Sequence, residues 1–541
     1  MILEKPTEAR SLKTEKLITD LVVVGGGLAG TCAAITAARQ GVKVVLIQDR
    51  PVLGGNASSE VRLWGLGATS HMGNNNRWAR EGGLVDEILV ENMCRNKEGN
   101  PLIFDTVLLD LVRREPNIRL LLNTAVYEVQ KATLDTIAGV TAFCSQNSTR
   151  YVVEAPYFCD ASGDGIVGFQ AGAAFRMGAE SSEEFGEGFT PDESYGELLG
   201  HTIYFYSKDV GKPVKYVAPD YALKNVEDVL RYRNVDVKEH GCKLWWIEYG
   251  GRKDTVHDTE DIKWELWKIV YGVWDYIKNS GKFPEAETMT LEWVGTIPGK
   301  RESRRFEGDY MMTQQDVIEQ REHFDVVSVG GWSLDLHPSD AVYSEKSPCN
   351  QWHSKGVYGI PYRSYYSRNI SNLFLAGRII SASHVAFGST RVMLTCAHGG
   401  SAVGMAASHC FKNGLQPRDL TEPKRMAALQ ASLNRSGQAI PGIALTGDGD
   451  LAQLAKVSVS STLQLSELSA DGPWLDLKYP VAQMLPLTPE DRAVVQFRVR
   501  ATTACTLRVA LRVSDKVANF TPEQTLCEKT FSLVSGEQTV E

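Results

Sequence analysis

Residues 18–30 read Ile-Thr-Asp-Leu-Val-Val-Val-Gly-Gly-Gly-Leu-Ala-Gly and run straight into Thr31 to Gln40. The apolar run from Ile18 to Val24 has the character of a fully buried strand, and Thr31 to Gln40 that of a helix. Between them lies a glycine turn. Gly25 permits the tight bend, Gly27 lets backbone approach a pyrophosphate, and Gly30 lets helix and strand pack closely. Leu28 and Ala29 lie within this turn among the candidate cofactor-binding residues, and the N-terminus of the helix that follows offers N–H groups to an anion. A second buried strand, Val42 to Ile47, follows at βαβ distance and ends at Gln48-Asp49. A ribose-binding acid is expected there. Gln48 departs from that pattern, although an amide also bonds a ribose hydroxyl, and Asp49 is one residue away.

Beyond the second strand, Pro51-Val52-Leu53-Gly54-Gly55-Asn56 forms another bare-backbone turn where an extended ligand can cross. The runs VVVGGGLAG and LIQDRPVLGGNASSEVR resemble the FAD-dependent oxidoreductase family, often found in carbohydrate-degrading bacteria, within the wider glutathione-reductase-like flavoproteins. Further matching segments are Tyr157 to Gly165, Pro298 to Arg305, and Asn372 through Met405. The resemblance implies non-covalent FAD on an α/β, Rossmann-like FAD-binding domain of glutathione-reductase type. It also implies that a strand ending near Asp160 completes the first nucleotide unit and that a strand ending at Gly377-Arg378 returns to the flavin. Gly163 to Gly168 repeats the dinucleotide spacing, yet no buried strand with a terminal acid follows it, so it belongs to the same FAD fold. The expected domains are residues 15–175 and 356–445 for the two parts of the FAD domain, 176–355 for an inserted α+β substrate domain, and 455–541 for a C-terminal β-sandwich.

The late segment is informative in its own right. Ser389-Thr390 precede an apolar stretch, Val392 to Ala407, which predicts a helix with those two residues as N-cap candidates. If its N-terminus faces the flavin pyrimidine, the helix dipole favours negative charge on the reduced ring. In the middle region Asp261 to Lys278 predicts an amphipathic helix, so Trp264, Trp267 and Trp274 are expected to pack inward. Trp245 and Trp246 are expected to face opposite ways, one toward core and one toward a cavity.

Alcohol oxidation by a flavin needs a base for the hydroxyl proton, and histidine suits neutral pH. His384 is the first candidate, because it follows the Gly377-Arg378 turn and precedes the late helix. His337 is the second, with Asp335 close by in sequence. The resemblance puts Arg301 or Arg305, in the Lys300 to Arg305 block, toward flavin or substrate oxygens. Arg391 is a candidate for a substrate oxyanion or the cofactor, and Arg378 for covering the flavin.

Composition bounds the remaining choices. The 541 residues suffice for two or three domains, and a net charge of −9 argues against nucleic acid. No run of ~20 apolar residues predicts a membrane span, and no signal peptide is evident, which points to the cytoplasm, or to the periplasm if a leader was removed. Ten cysteines show no zinc-ligand spacing, so no metal is expected. Ala493 to Arg500 and Thr506 to Val513 alternate apolar and polar residues, as antiparallel strands covered on one face do. The leading expectation is a FAD-dependent oxidoreductase acting on a small polar molecule, plausibly a sugar or sugar derivative, with room for a homo-oligomer. The alternatives are a reductase of an activated double bond in a carboxylate substrate, and a non-catalytic flavin-containing binding protein.

Overall fold

The computed structural model describes residues 9–69, 76, 78–191, 196–237, 241–445, 449–463, 468–485, 487–488, 490, 494–516, 519 and 521–541. The chain divides into two compact units, Met1–Leu445 and Thr446–Glu541.

The first unit opens with β1 (Lys13–Ile18), β2 (Leu21–Val24), α1 (Leu28–Arg39) and β3 (Val44–Ile47). After α2 (Leu84–Arg95) and α3 (Pro101–Arg114) come β4 (Ile118–Leu121), β5 (Thr124–Lys131), β6 (Ile137–Cys144), β7 (Thr149–Glu154), β8 (Tyr157–Asp160) and α4 (Ile166–Ala171). Five strands make one parallel sheet in the order Leu373–Leu375, β8, β2, β3, β4. A second sheet, ordered β1, β7, β6, β5, flanks it.

Every residue of β2 and β3 is buried, because neighbours on both edges and helices on the faces leave no side open to water. Each such Val, Leu or Ile contributes on the order of 1.5–3 kcal/mol. The predicted strand 18–24 is shorter than expected at its start. Ile18 ends β1 and is 85% exposed, while Asp20 turns the chain by accepting the Lys43 backbone N–H at 2.8 Å.

Helix α1 lacks an amphipathic pattern because both its sides are covered, leaving Leu28 through Ala38 buried. The cover is the long late helix Met393–Asn413. Two glycines bring the backbones together. A Cβ at Gly400 would strike the Ala29 carbonyl, and one at Gly404 the Ala33 carbonyl.

A separate core forms around the helix Thr259–Asn279, which buries Ile262, Leu266, Ile269, Val273 and Trp274. Trp274 meets Phe205 edge to face at 5.4 Å. Trp264 does not pack inward as expected. It is 54% exposed and lies against Tyr221 and Trp267.

In the second unit, Phe497–Ala501 pairs antiparallel with Gly536–Val540, and Cys505–Val513 with Gln524–Leu533. The start of the first predicted strand, Ala493, lies outside the described residues. Among the described residues, no helix is long and apolar enough to cross a membrane, and no cluster suits a metal ion.

Candidate functional site

A cavity of about 850 Å³ opens at the C-terminal ends of the parallel strands, where ligands of open α/β sheets bind. Gly25, Gly27, Leu28 and Ala29 line it from the first turn. Gln48, Asp49, Gly54, Gly55 and Asn56 line it from the end of β3 and the loop beyond. The two turns are laced together: Gly54 N–H donates to the Gly26 carbonyl at 2.8 Å, and Gly27 bridges Gly54 as a strand would. At Gly55, where φ is +59°, a Cβ would lie 3.1 Å from the Gly27 Cα, so a left-handed backbone and a crowded approach together favour glycine there. Helix α1 starts at this cradle with no side chain capping it. Its first N–H groups remain available to an anion. An extended dinucleotide diphosphate suits such a surface.

Gln48 has a duty in the protein itself. Its Oε1 accepts the Gly26 N–H at 2.7 Å and its Nε2 donates to the Val52 carbonyl at 3.2 Å, so the amide staples the glycine turn to β3. One Nε2 hydrogen is left for a ribose hydroxyl. Gly30 does not line the cavity. A Cβ there would strike the Gly25 carbonyl, which makes it the close-packing glycine of the turn. Asp160 is likewise fully buried. Its carboxylate accepts Ser162 N–H and Oγ–H and the Gly168 N–H at 2.6–3.0 Å, and so shapes the turn from β8 into α4. Burial pushes its carboxyl up against those hydrogen bonds.

That turn presents Gly163 and Asp164 to the cavity beside Gly377 and Arg378. Asp164 takes Lys300 Nζ at 2.5 Å and Arg378 at 2.9 Å. Burial would raise its pKa, but Arg378 and Lys300 more than reverse this and hold it well below the usual carboxylate range. Ser303 and Arg304 donate to the carbonyls of Gly163 and Asp164. The Lys300 to Arg305 block is therefore a strut on this turn and not a solvated charge run.

The opposite wall is a chain of charges. Arg301 approaches Glu248 at 2.5 Å, and Glu248 lies 2.9 Å from His337 Nδ1. His337 Nε2 lies 3.3 Å from Asp335, whose carboxylate reaches Arg391 at 3.4 Å. Trp245 stands edge-on to His337 at 5.2 Å, half-buried, while Trp246 is core; the two part as expected, but from a turn ahead of Glu248–Tyr249 and not from a strand. Burial alone would lower the His337 pKa, but Glu248 and Asp335 outweigh it and hold it above the ordinary histidine value. Burial raises Glu248, and Arg301 and His337 bring it below its usual range.

The late helix meets the cavity at Val392, Met393 and Cys396, again with no side-chain cap. Ser389 and Thr390 do not cap it. They end a separate helix, His384–Thr390, and Ser389 Oγ is engaged with the Trp332 carbonyl and the Tyr358 hydroxyl. The break between the helices is what turns Arg391 into the cavity.

Besides Gly30 and Asp160, two of the expected catalytic residues are not brought to the cavity. His384 is 2% exposed, with Nδ1 3.0 Å from Glu302 and its backbone N–H on Glu180. Arg305 is fully buried between Glu180 and Glu302, at 2.7 and 3.1 Å. Both hold the strut from behind. Glu248 was missed in the sequence because its partners lie 53 residues (Arg301) and 89 residues (His337) further along the chain.

A family model described as FAD dependent oxidoreductase matches residues 20–433. Among solved structures, a geranylgeranyl bacteriochlorophyll reductase-like protein from Thermoplasma acidophilum is 15% identical, over 78% of this chain and 85% of its own, with a TM-score of 0.34. The myxobacterial chondrochloren halogenase CndH is 12% identical over 77% and 80%, at 0.35. The p-nitrophenol 4-monooxygenase PnpA from Pseudomonas putida DLL-E4 is 13% identical over 77% and 86%, at 0.34. No curated protein matches the sequence.

Proposed function

The chain belongs to the family of FAD-dependent oxidoreductases, with FAD as its cofactor, and on that premise we propose that it exchanges hydride between FAD and a small, oxygen-rich substrate held against the Arg301–Glu248–His337–Asp335–Arg391 wall. A sugar or sugar derivative is the substrate that the family resemblance suggests. One observation carries the reading: a histidine flanked by two carboxylates and a cavity-lining arginine share a single cavity with the dinucleotide cradle. When bound, FAD supplies an acceptor or donor of an electron pair and proton at its ring N5.

The chain's own residues supply the proton and the orientation. His337 carries the proton of the substrate oxygen on Nε2, because Nδ1 is held closely by Glu248 whereas the Asp335 contact at 3.3 Å is long enough to be exchanged. Glu248 fixes the imidazole, and Arg301 keeps Glu248 ionised, which makes both positioning residues. Arg391 steadies the substrate oxygen. The region 176–355 serves as the substrate domain, because Arg301, Glu248, His337 and Asp335 all come from it.

The test is anaerobic titration of the FAD-loaded protein with sugars, polyols and hydroxy acids, followed at the flavin absorbance. Bleaching by one class names the substrate; a flavin that dithionite reduces but no member of the panel does would sink the oxidative reading. Reduction of an activated double bond in a carboxylate substrate is the second reading, and its own observation is the raised pKa of His337. A histidine kept protonated is poised to deliver a proton and not to take one. Reoxidation of dithionite-reduced enzyme by an unsaturated acid would favour it.

A further inference from the structure

The cavity is positive on a molecule that is acidic as a whole. Six lysines and arginines line it against three aspartates, whereas the chain carries −9. Behind the lining, Glu248 offsets a protonated His337 and Glu60 lies 3.7 Å from Arg50, so the surplus is two positive charges. The diphosphate of FAD brings two negative charges to the glycine cradle.

Arg391 is the cation that shares Asp335 with His337. Its side chain is 12% exposed, and its bonds to Asp335 run through one terminal nitrogen, at 3.2 and 3.4 Å. Its Nε is buried with no hydrogen-bond partner among the described residues. The remaining terminal nitrogen, Nη1, makes no hydrogen bond among the described residues and, unlike Nε, is not closed off, so a ligand in the cavity meets the guanidinium there. Arg378 also has an unmatched Nε, but it is committed to Asp164 on the cradle side. Burial draws the Arg391 pKa down, and Asp335 is the chief charge opposing this, which is the mark of an under-compensated cation.

From this geometry we infer that Arg391 is a carboxylate-binding residue, and that the substrate is a small hydroxy or oxo acid. Its carboxylate lies on the Arg391 fork and its reacting oxygen toward His337. This deepens the hydride-exchange reading above and rests on it. A planar guanidinium matches a carboxylate with two parallel hydrogen bonds.

The experiment uses the FAD-loaded full chain and two kinds of probe. Acetate, which cannot be oxidised at an alcohol carbon, reports the subsite through its perturbation of the flavin absorbance. Gluconate against glucose, and lactate against propane-1,2-diol, report the substrate class through anaerobic bleaching. We expect acetate to perturb the spectrum saturably. Arg391→Gln should weaken it about tenfold or more, and Asp335→Asn, which removes the competing carboxylate, should tighten it. If Arg391→Gln fails to hold FAD, the opposite-signed Asp335→Asn effect carries the test. Bleaching by the neutral partners with no acetate effect overturns the carboxylate site while leaving hydride exchange standing. Arg391-dependent acetate binding with no bleaching by any compound supports the site and overturns the oxidative direction of hydride exchange instead.

Discussion

Between His337 and His384, the choice of proton carrier rests on what each ring touches. His337 lines the cavity with a loosely held Nε2, whereas His384 is enclosed behind it against Glu302. Because the Glu248 and Asp335 carboxylates hold the His337 pKa above the ordinary value, oxidation that needs the neutral ring should speed up as pH rises through that elevated pKa. Stopped-flow flavin reduction between pH 5 and 9, as roughly the range that brackets histidine, reads this directly. His337→Gln should flatten the profile and slow reduction by about 10²–10⁴-fold. A wild-type rate independent of pH would remove His337 from the mechanism. His384→Gln should leave the profile's shape unchanged. Arg305→Ala, by contrast, strands Glu180 and Glu302 in a dry interior and should cost about 3–5 kcal/mol in a denaturant titration. At this scale the sequence discloses local pairs only. Asp335 and His337 are two residues apart and legible; Glu248 on one and Arg391 on the other come from distant elements, so no spacing announces them.

Elements show the same division between what is local and what tertiary packing adds. The β2–turn–α1–β3 unit is legible because glycine spacing, buried strands and the helix all fall within thirty residues. The late helix was legible as a helix, but not where it starts. Arg391 and Val392 break an otherwise continuous helical pattern, and Ser389 is occupied by Trp332 and Tyr358. Gly400 and Gly404, four residues apart, form the seam with α1, and no local pattern marks them, because their partners lie some 370 residues earlier in the chain. With each Cβ aimed at a backbone carbonyl of α1, neither side has a flexible end to yield. Gly404→Ala should therefore cost about 1–3 kcal/mol by overpacking, visible as a lower denaturant midpoint at unchanged slope. Gly400→Ala sits over Ala29, beside the cradle, and should also weaken FAD retention on gel filtration. A Gly404→Ala protein as stable as the parent would show that the two helices separate easily.

For the whole molecule, buried histidines set the acid limit and the position of the lining residues sets the minimal flavin-binding unit. Burial, aided by Lys300, brings His201 down to about 3, and burial brings His398 down to about 4. Both are neutral in the fold and charge readily once unfolded, so the unfolded chain binds more protons between pH ~6.5 and those values. Stability should fall as pH drops through that window, by a few kcal/mol for each histidine near pH ~4. His337 has the opposite sign, since its raised pKa adds stability below pH ~6.5 that is lost as pH climbs through its folded value. His398→Gln should soften the acid limb and leave the alkaline one alone, as thermal melts across pH would show. All the residues that line the cavity fall between Gly25 and Cys396, inside the unit that ends at Leu445. A chain truncated after Leu445 should accordingly purify yellow, with the same flavin absorbance per mole as the full chain. FAD at a hundredfold excess over its dissociation constant should stabilise that truncated chain by about 2.7 kcal/mol relative to its stripped form. A colourless but folded fragment would mean that residues beyond Leu445 complete the site, and would move the second unit from accessory to part of the flavin-binding machinery.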